Sequence, residues 1–318
     1  MIRFLTAGES HGPELTAIID GLPAGLLLDP EYINCELARR QEGYGSGGRM
    51  QIETDTVRIT SGVAAGKTTG APIALTVVNR DYKNWREKDI KPMTTPRPGH
   101  ADLTGAIKYG YRDLRIALER ASARETTMRV AAGAICRKFL SEFSIVIGGY
   151  VVQIGDVRVQ LALDLDYAER FRFAEESDVR CPDAITTELM HDAIHQAKVD
   201  KDTLGGVFEI IALNVPPGLG SHVHWDRRLD ARIVGAMTSI HAMKGAEIGD
   251  GFENAGKRGS EVHDDIVLSG KNGDLGRTTN RAGGLEGGIT TGEPIVARVA
   301  MKPIATVVRG WKTCRWIM

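Results

Sequence analysis

Near its start the chain carries a short polar segment, Gly8-Glu9-Ser10-His11-Gly12, which combines a carboxylate, a hydroxyl and an imidazole. An imidazole gains and loses protons near neutral pH, so His11 is a candidate general acid or base. The glycines permit a tight turn and close approach of the backbone to a ligand. An isolated match of this length also fits a polar turn with an incidental histidine. The apolar runs on either side predict a polar loop between two strands.

Arginine is concentrated in two segments that could bind anions, because the guanidinium donates a planar fork of hydrogen bonds to phosphate or carboxylate. Most such clusters are solvated helix faces, and Arg112, Arg115 and Arg129 fit that interpretation. Arg97 and Arg124 differ, because each lies in a motif of small residues with a candidate catalytic group nearby. The two clusters contain Arg39, Arg40 and Arg49, then Arg97, Arg115, Arg120, Arg124 and Arg129.

Longer motifs extend this pattern along the chain, beginning with Arg97-Pro98-Gly99-His100-Ala101-Asp102-Leu103. The others occupy residues 39–41 with 43–50, 108–109, 118–127, 218–221 with 225–226, 283–288 and 301–306. Together these segments closely resemble the signature segments of the chorismate synthase family, in the family's order and over nearly the whole chain.

Two departures from the family's pattern stand out. Ser46 occupies a position where members usually carry arginine. After Thr306 the resemblance fades, and it is gone by Cys314, before a motif of the Arg-Ser/His-Asp type that gives the family a flavin-site arginine and a catalytic aspartate. We therefore expect one domain over residues 1–318 without the family's usual C-terminal segment. We expect this domain to fold, but to bind flavin poorly and to have little activity.

The resemblance implies one reaction in aromatic amino-acid biosynthesis, the loss of phosphate and a proton from 5-enolpyruvylshikimate 3-phosphate to give chorismate. It makes His11 the acid near the departing phosphate and His100 the group that protonates or stabilises the flavin. A substrate with a phosphate and two carboxylates needs a cationic site, in which Ser10 orders the loop and is not a nucleophile. The substrate-binding residues are then Ser10, Arg40, Arg49, Arg97 and Arg124.

The resemblance also implies reduced FMN (FMNH2) as the cofactor, without net redox change. No Gly-x-Gly-x-x-Gly follows a strand, so NADPH enters only indirectly, as a source of reducing equivalents. Arg120, Ala121 and Ser122 should open a helix whose amino terminus favours phosphate. The flavin-binding residues are these three together with His241, Ala242, Gly287, Lys302, Pro303, Ile304, Ala305 and Thr306.

Composition narrows the function classes. The formal net charge of −1 gives no pull toward nucleic acid or anionic membranes, and no apolar run is long enough to span a membrane. We expect a cytoplasmic protein with neither of these partners, and the resemblance implies a homotetramer. The four cysteines have no paired spacing, and His222-Val223-His224 lacks a third ligand, so we predict no metal.

Periodicity predicts an α+β fold, a layered sandwich of helices between antiparallel β-sheets. Residues 16–26 resemble 208–219, and residues 68–75 resemble 290–297 in the same order, which indicates an internal pseudo-repeat rather than chance similarity of turn signals. Strands are predicted at 2–6, 14–20, 51–60, 73–79, 145–154, 207–215 and 294–301. Helices are predicted at 30–41, 113–118, 123–142, 183–198 and 226–243.

Two other interpretations compete with an active enzyme. One is a folded but inactive or weakly active homologue, which Ser46 and the divergent tail favour. The other is a phosphate-ligand binding protein that uses the arginines without chemistry. A binder needs the arginines but no acid pair, so the presence of both His11 and His100 favours an enzyme, a carbon–oxygen lyase acting on a phosphate ester.

Overall fold

The computed structural model describes residues 2–45, 52–161, 165–269, 274–307 and 313. The chain divides into two compact units. Unit 1 comprises Met1–Phe139, Asp200–Asp202 and Ile304–Met318, and unit 2 comprises Leu140–Val199 and Thr203–Pro303. Across the described ranges, no helix is long and apolar enough to cross a membrane. The single domain over residues 1–318 stays a prediction.

Unit 1 is built on an antiparallel sheet of four strands. In spatial order these are β1 (Arg3–Ala7), β2 (Glu14–Asp20), β7 (Ile73–Val78) and β4 (Val57–Ser61). Apolar residues alternate along β2, so Leu15, Ala17 and Ile19 point to one face and are buried. That face packs against two helices, α1 (Pro30–Gln41) and α4 (Thr126–Ser141).

Smaller elements complete unit 1 and carry the polar motifs. A three-stranded sheet contains β3 (Ala24–Leu27), β6 (Lys67–Thr69) and β5 (Val63–Ala64). Between β7 and α4 the chain forms α2 (Asp102–Tyr109), α3 (Arg115–Ala121) and two 3-10 helices, Arg80–Asn84 and Ala123–Glu125.

Unit 2 has its own antiparallel sheet, with helices on both faces. In spatial order its strands are β11 (Met243–Ile248), β16 (Ile295–Met301), β10 (Gly206–Leu213), β8 (Val146–Ile154) and β9 (Val157–Arg158). The helices α5 (Tyr167–Glu176) and α6 (Ala184–Val199) cover the face that contains Ile211. The helix α7 (Leu229–Thr238) covers the face that contains Phe208 and Ile210.

Four short strands and three short helices lie on the connections of unit 2. The strand pairs are β12 (Ile266–Ser269) with β13 (Asp274–Arg277), and β14 (Leu285–Glu286) with β15 (Ile289–Thr290). The helices are the 3-10 helix Trp225–Arg227, α8 (Gly251–Asn254) and α9 (Gly259–Val262).

The two sheets share one topology, which confirms the predicted pseudo-repeat. The order β1-β2-β7-β4 in unit 1 matches β8-β10-β16-β11 in unit 2, and every pair is antiparallel. In each unit the third strand of this order follows a Thr-Thr-Gly-x-Pro segment, at residues 68–72 and 290–294. The same sequence signal therefore occupies the same place in both sheets.

Thr68 and Thr290 make the same pair of hydrogen bonds in the two halves. Each hydroxyl donates to a proline carbonyl at 2.7 Å. Each also accepts from the amide of the leucine three residues after that proline, at 3.0 Å for Thr68 and 2.8 Å for Thr290. The prolines are Pro23 and Pro216, and the leucines are Leu26 and Leu219.

Several predicted boundaries were wrong for identifiable reasons. The strand predicted at 51–60 begins only at Val57, because the Gln41 side chain binds the backbone of Glu53 and Asp55 in place of a neighbouring strand. The helix predicted to reach residue 243 ends at Thr238, and Ala242 then takes a left-handed conformation (φ 68°) before β11.

We expect the substitutions Thr68→Val and Thr290→Val to destabilise the protein by similar amounts, about 1–3 kcal/mol each, because each removes a buried hydroxyl that makes two hydrogen bonds to the backbone. Urea denaturation followed by circular dichroism measures this loss. Thr60→Val is the control, since the exposed Thr60 hydroxyl makes a single bond of 3.3 Å, and we expect a loss below about 0.5 kcal/mol. A neutral Thr290→Val beside a costly Thr68→Val would contradict the equivalence.

Candidate active site

His11 lies in the loop between β1 and β2, as predicted, and Glu119 on α3 holds it. The Glu119 Oε2 atom accepts from the His11 backbone amide at 2.7 Å, and Oε1 lies 2.7 Å from His11 Nδ1. Burial raises the pKa of the Glu119 carboxyl, but these hydrogen bonds from His11 outweigh it and hold that pKa below its ordinary value. An ionised carboxylate therefore fixes both the backbone and the ring of His11.

The loop around His11 is shaped by Gly8 and Asn79. Gly8 has φ +108°, and a Cβ there would lie 2.7 Å from the carbonyl oxygen of Glu14, so only glycine fits. The buried Asn79 amide donates to the carbonyls of Glu9 at 3.2 Å and Gly12 at 2.8 Å. These two carbonyls flank the Ser10-His11 pair, so one side chain holds both ends of the turn.

Ser10 is buried beside His11 and contacts Ser122. The Ser122 hydroxyl donates to the Ser10 oxygen at 3.1 Å, and the Ser10 amide donates to the Glu119 carbonyl at 3.1 Å. The Ser10 residue is only 3% exposed, which agrees with the predicted part in ordering the loop. Its predicted contact with substrate stays a prediction.

His100 and Arg97 share one carboxylate, that of Asp102, the first residue of α2. Its Oδ1 lies 2.5 Å from His100 Nδ1, and its Oδ2 accepts from Arg97 Nε at 2.9 Å. The Asp102 side chain is 0% exposed. Burial raises the pKa of its carboxyl, but hydrogen bonds from His100 and Arg97 hold that pKa well below the usual range. One buried charge thus orients a predicted proton donor and a predicted anion-binding residue.

Arg124 and Arg40 surround a second buried carboxylate, that of Asp55. The Arg124 Nη1 atom lies 2.7 Å from Asp55 Oδ1, and both side chains are almost fully buried. Arg124 Nε donates to Asn79 Oδ1 at 2.8 Å, and Arg40 Nη1 lies 3.6 Å from Asp55 Oδ2. The structure therefore gives Arg124 a structural part, while its predicted contact with substrate stays a prediction. Arg49 and Ser46 lie outside the described residues.

The predicted flavin residues fall in both units. In unit 1, Arg120 donates to the Thr6 carbonyl at 2.8 Å, and the Thr306 hydroxyl accepts from Arg97 Nη1 at 3.3 Å. In unit 2 the Lys302 amide donates to the Ala242 carbonyl at 3.0 Å, which brings two of the predicted segments together. Unit 2 also contains His241, Gly287 and Pro303, and unit 1 contains Ile304 and Ala305.

The predicted helix start at Arg120-Ala121-Ser122 was wrong. Arg120 and Ala121 end α3, and Ser122 caps the next 3-10 helix by accepting from the Arg124 amide at 3.4 Å. The reason is that Ser122 adopts an extended conformation (ψ 146°), which interrupts one helix and starts another.

Sequence reasoning missed the three carboxylates that organise the site, Glu119, Asp102 and Asp55. The spacing of His100 and Asp102, two residues apart within one motif, was a usable signal. Glu119 is 108 residues from His11, so nothing local indicated that pair. In the part of the chain that the structure describes, no group of three or more His, Cys, Asp or Glu could hold a metal ion. That no metal is used stays a prediction.

Comparison with known proteins identifies the family. The family model described as "Chorismate synthase" matches residues 2–317. A chorismate synthase of Geobacillus kaustophilus is 56% identical over 97% of this chain and 82% of the relative, and one of Aquifex aeolicus is 56% identical over 96% and 81%. The chain belongs to the chorismate synthase family. A crystal structure of a chorismate synthase superposes with a TM-score of 0.83 at 52% identity, covering 95% of this chain and 85% of the other.

Membership in the chorismate synthase family confirms several sequence predictions. It confirms the resemblance carried by the motifs, the α+β fold, and a lyase over a homologue that only binds phosphate ligands. The family model matches residues 2–317, and the fading of the resemblance after Thr306 stays a prediction. The individual site residues stay predictions.

We expect Asp102→Asn to destabilise the protein by about 3 kcal/mol at neutral pH, because it removes the buried charge that pairs with Arg97 and His100. The low pKa of Asp102 means that the wild-type advantage is full above about pH 4 and shrinks as pH falls below it. Urea denaturation at several pH values measures the difference. The control is Asp20→Asn, whose partly exposed pair with Arg3 should contribute less than about 1 kcal/mol. A difference that grows on acidification would contradict this prediction.

We expect Arg124→Met to lower the free energy of unfolding by about 3–5 kcal/mol, because it removes the closer of the two cations from the buried Asp55 carboxylate and leaves only Arg40, at 3.6 Å. Adding Asp55→Asn should recover part of that loss. Arg172→Met, which breaks an exposed ion pair with Glu176, is the control, with an expected change below about 0.5 kcal/mol. Equal small losses for both arginines, measured by thermal denaturation, would show that the buried pair is not needed for folding.

Proposed function

We propose that the chain eliminates phosphate from 5-enolpyruvylshikimate 3-phosphate to give chorismate. The observation that carries this proposal is the His11–Glu119 pair, in which one oxygen of an ionised carboxylate holds the His11 backbone amide and the other holds the imidazole. The reaction breaks the carbon–oxygen bond to phosphate and removes one proton from the substrate. A proton donor beside the departing phosphate lowers the barrier to that step, and a positioned imidazole is suited to the task.

In this proposal Glu119 orients His11 and stabilises its protonated form, which is the usual effect of a carboxylate beside a catalytic imidazole. It accepts a hydrogen bond at Nδ1 and stabilises the positive charge on the protonated ring. Because Nδ1 is engaged by Glu119, Nε2 is the ring atom that would transfer a proton to phosphate. The contact between Ser10 and Ser122 keeps the loop in place while this happens.

Arg97 is well placed to bind an anionic group of the substrate. Its side chain is 24% exposed, whereas that of Arg40 is 11% and that of Arg124 is 4% exposed. Asp102 fixes the guanidinium through Nε and Nη2, and Nη1 points to Thr306. A charge-assisted hydrogen bond contributes about 1.5–3 kcal/mol, so an arginine held in one orientation contributes to specificity as well as affinity.

The donor set of the predicted flavin residues fits reduced FMN. Within unit 1, Arg120 is a cation suited to its phosphate, and the hydroxyls of Ser122 and Thr306 offer hydrogen bonds to its polar groups. When bound, reduced FMN supplies an electron-rich ring that the elimination needs without net oxidation or reduction. His100, fixed by Asp102, would hold a proton next to that ring.

NADPH as an indirect reductant, a homotetramer and a cytoplasmic location also stay predictions.

The test is phosphate release from 5-enolpyruvylshikimate 3-phosphate with anaerobically reduced FMN. We expect His11→Ala to lower kcat about 10²- to 10⁴-fold, because a positioned general acid contributes that much, with substrate affinity changed only a few-fold. His224→Ala is the matched control: its Nδ1 also lies 2.7 Å from a carboxylate, that of Asp226, but its side chain is 59% exposed in unit 2. Absence of phosphate release by the wild-type chain would refute the proposed function, and full activity of His11→Ala would refute the role of His11.

A further inference from the structure

The indole of Trp85 lies on the imidazole of His11, and nothing proposed above uses it. The two ring centroids are 4.0 Å apart and the planes are tilted by 35°. His11 is therefore held in two ways, along its Nδ1 edge by Glu119 and over a face by Trp85. The hydrogen bond to Glu119 still allows the imidazole to tilt about the axis of that bond. An aromatic contact over the ring face restricts this tilt.

The turn that carries Trp85 is itself anchored. Trp85 directly follows the 3-10 helix Arg80–Asn84, and its Nε1 donates to Asp81 Oδ2 at 3.0 Å. The Glu53 residue, 4% exposed, accepts from the amides of Arg80 at 2.9 Å and Asp81 at 3.4 Å. A buried carboxylate thus fixes the start of the turn, and the turn fixes the indole.

The turn and the His11 loop are joined by Asn79. This residue immediately precedes the 3-10 helix, and its side chain holds the carbonyls of Glu9 and Gly12 on either side of His11. Its backbone amide also donates to the Pro13 carbonyl at 3.0 Å. Asn79 therefore ties the start of the turn that carries Trp85 to both ends of the His11 loop.

The surroundings favour an aromatic side chain at this position over an aliphatic one. Lys88 Nζ lies 5.7 Å and the Arg115 guanidinium carbon 5.9 Å from the centroid of the Trp85 ring. Cations at this distance are attracted to the electron-rich face of an indole. A leucine, whose side chain is smaller, would lose these contacts and the bond to Asp81.

We propose that Trp85 is a positioning residue for His11, which keeps the imidazole aligned for proton transfer through Nε2. The inference rests on the proposed function only for its consequence in the reaction, since the stacking itself is a property of the folded chain. Misplacement of a reacting group by about 1 Å reduces rates as much as 10²-fold, so alignment of the ring has a measurable effect.

Kinetics of phosphate release with reduced FMN test the consequence. We expect Trp85→Leu to lower kcat about 10- to 100-fold with KM changed less than about threefold, because the ring remains present but is misaligned. Trp85→Phe, which retains an aromatic face, should recover kcat to within about threefold of the wild type. Trp225→Leu is the matched control, since Trp225 is 74% exposed and its ring is 6.1 Å from that of His224.

Nuclear magnetic resonance tests the stacking independently of activity, in the full chain labelled with carbon-13 at histidine Cε1. The His11 signal, assigned by its loss in His11→Ala, should show an upfield ring-current shift that Trp85→Leu removes and Trp225→Leu does not. A His11 signal unchanged by Trp85→Leu would overturn the proposal, whether or not the chain releases phosphate. A kcat of Trp85→Leu within about threefold of the wild type would also overturn it. If the wild type releases no phosphate while Trp85→Leu still removes the ring-current shift, the proposed function is refuted and the positioning of His11 stands.

Discussion

A buried ion pair between Arg124 and Asp55 holds together the parts of unit 1 on which the candidate site depends. Both side chains are almost completely removed from water, which charges tolerate only when they are paired and hydrogen-bonded. Arg124 also donates a hydrogen bond to Asn79, and the Asn79 side chain donates to two carbonyls of the loop that carries His11. Arg40 approaches the same carboxylate from α1. The placement of the candidate acid thus depends on a charge pair beneath it.

The two candidate catalytic histidines are held by the same physical means. Each has a carboxylate at Nδ1, Glu119 for His11 and Asp102 for His100, and the pKa of each carboxyl is held below its ordinary value. The carboxylates are 12% and 0% exposed, so solvent weakens these bonds little. The pair of His224 with a carboxylate has similar geometry but lies in solvent, where it contributes little to orientation or charge.

The repeated sheet topology separates scaffold from chemistry in this member of the chorismate synthase family. Both units use the same strand order and the same threonine bridge between a proline carbonyl and a leucine amide. The first two strands of that order are joined differently. In unit 1 a short loop with His11 joins β1 and β2, whereas in unit 2 the connection from β8 to β10 contains β9, α5 and α6. The scaffold tolerates both connections, so function depends on the connecting segments.

The sequence by itself determined what local chemistry controls. The strand at Glu14–Asp20 and the helix at Pro30–Gln41 match their predicted bounds, because alternation in the first and an Asp29 cap with proline at the start of the second are local signals. The internal repeat and the family were also visible in the motifs. The predicted end of α7 was wrong, because the helix ends at Thr238 and a left-handed Ala242 follows before β11.

Only the tertiary structure decided which charges meet. Glu119 reaches His11 across 108 positions, and Asp55 reaches Arg124 across 69, and no periodicity encodes such distances. The same holds for Trp85 after the turn at Arg80–Asn84, whose indole contacts the imidazole of His11 while Asn79 and the buried Glu53 anchor that turn from separate segments. Residue types and short spacings indicate which chemical groups are available for a reaction. Burial decides which side chains carry it, because a charge or a ring removed from water must have a partner, and the fold alone supplies that partner.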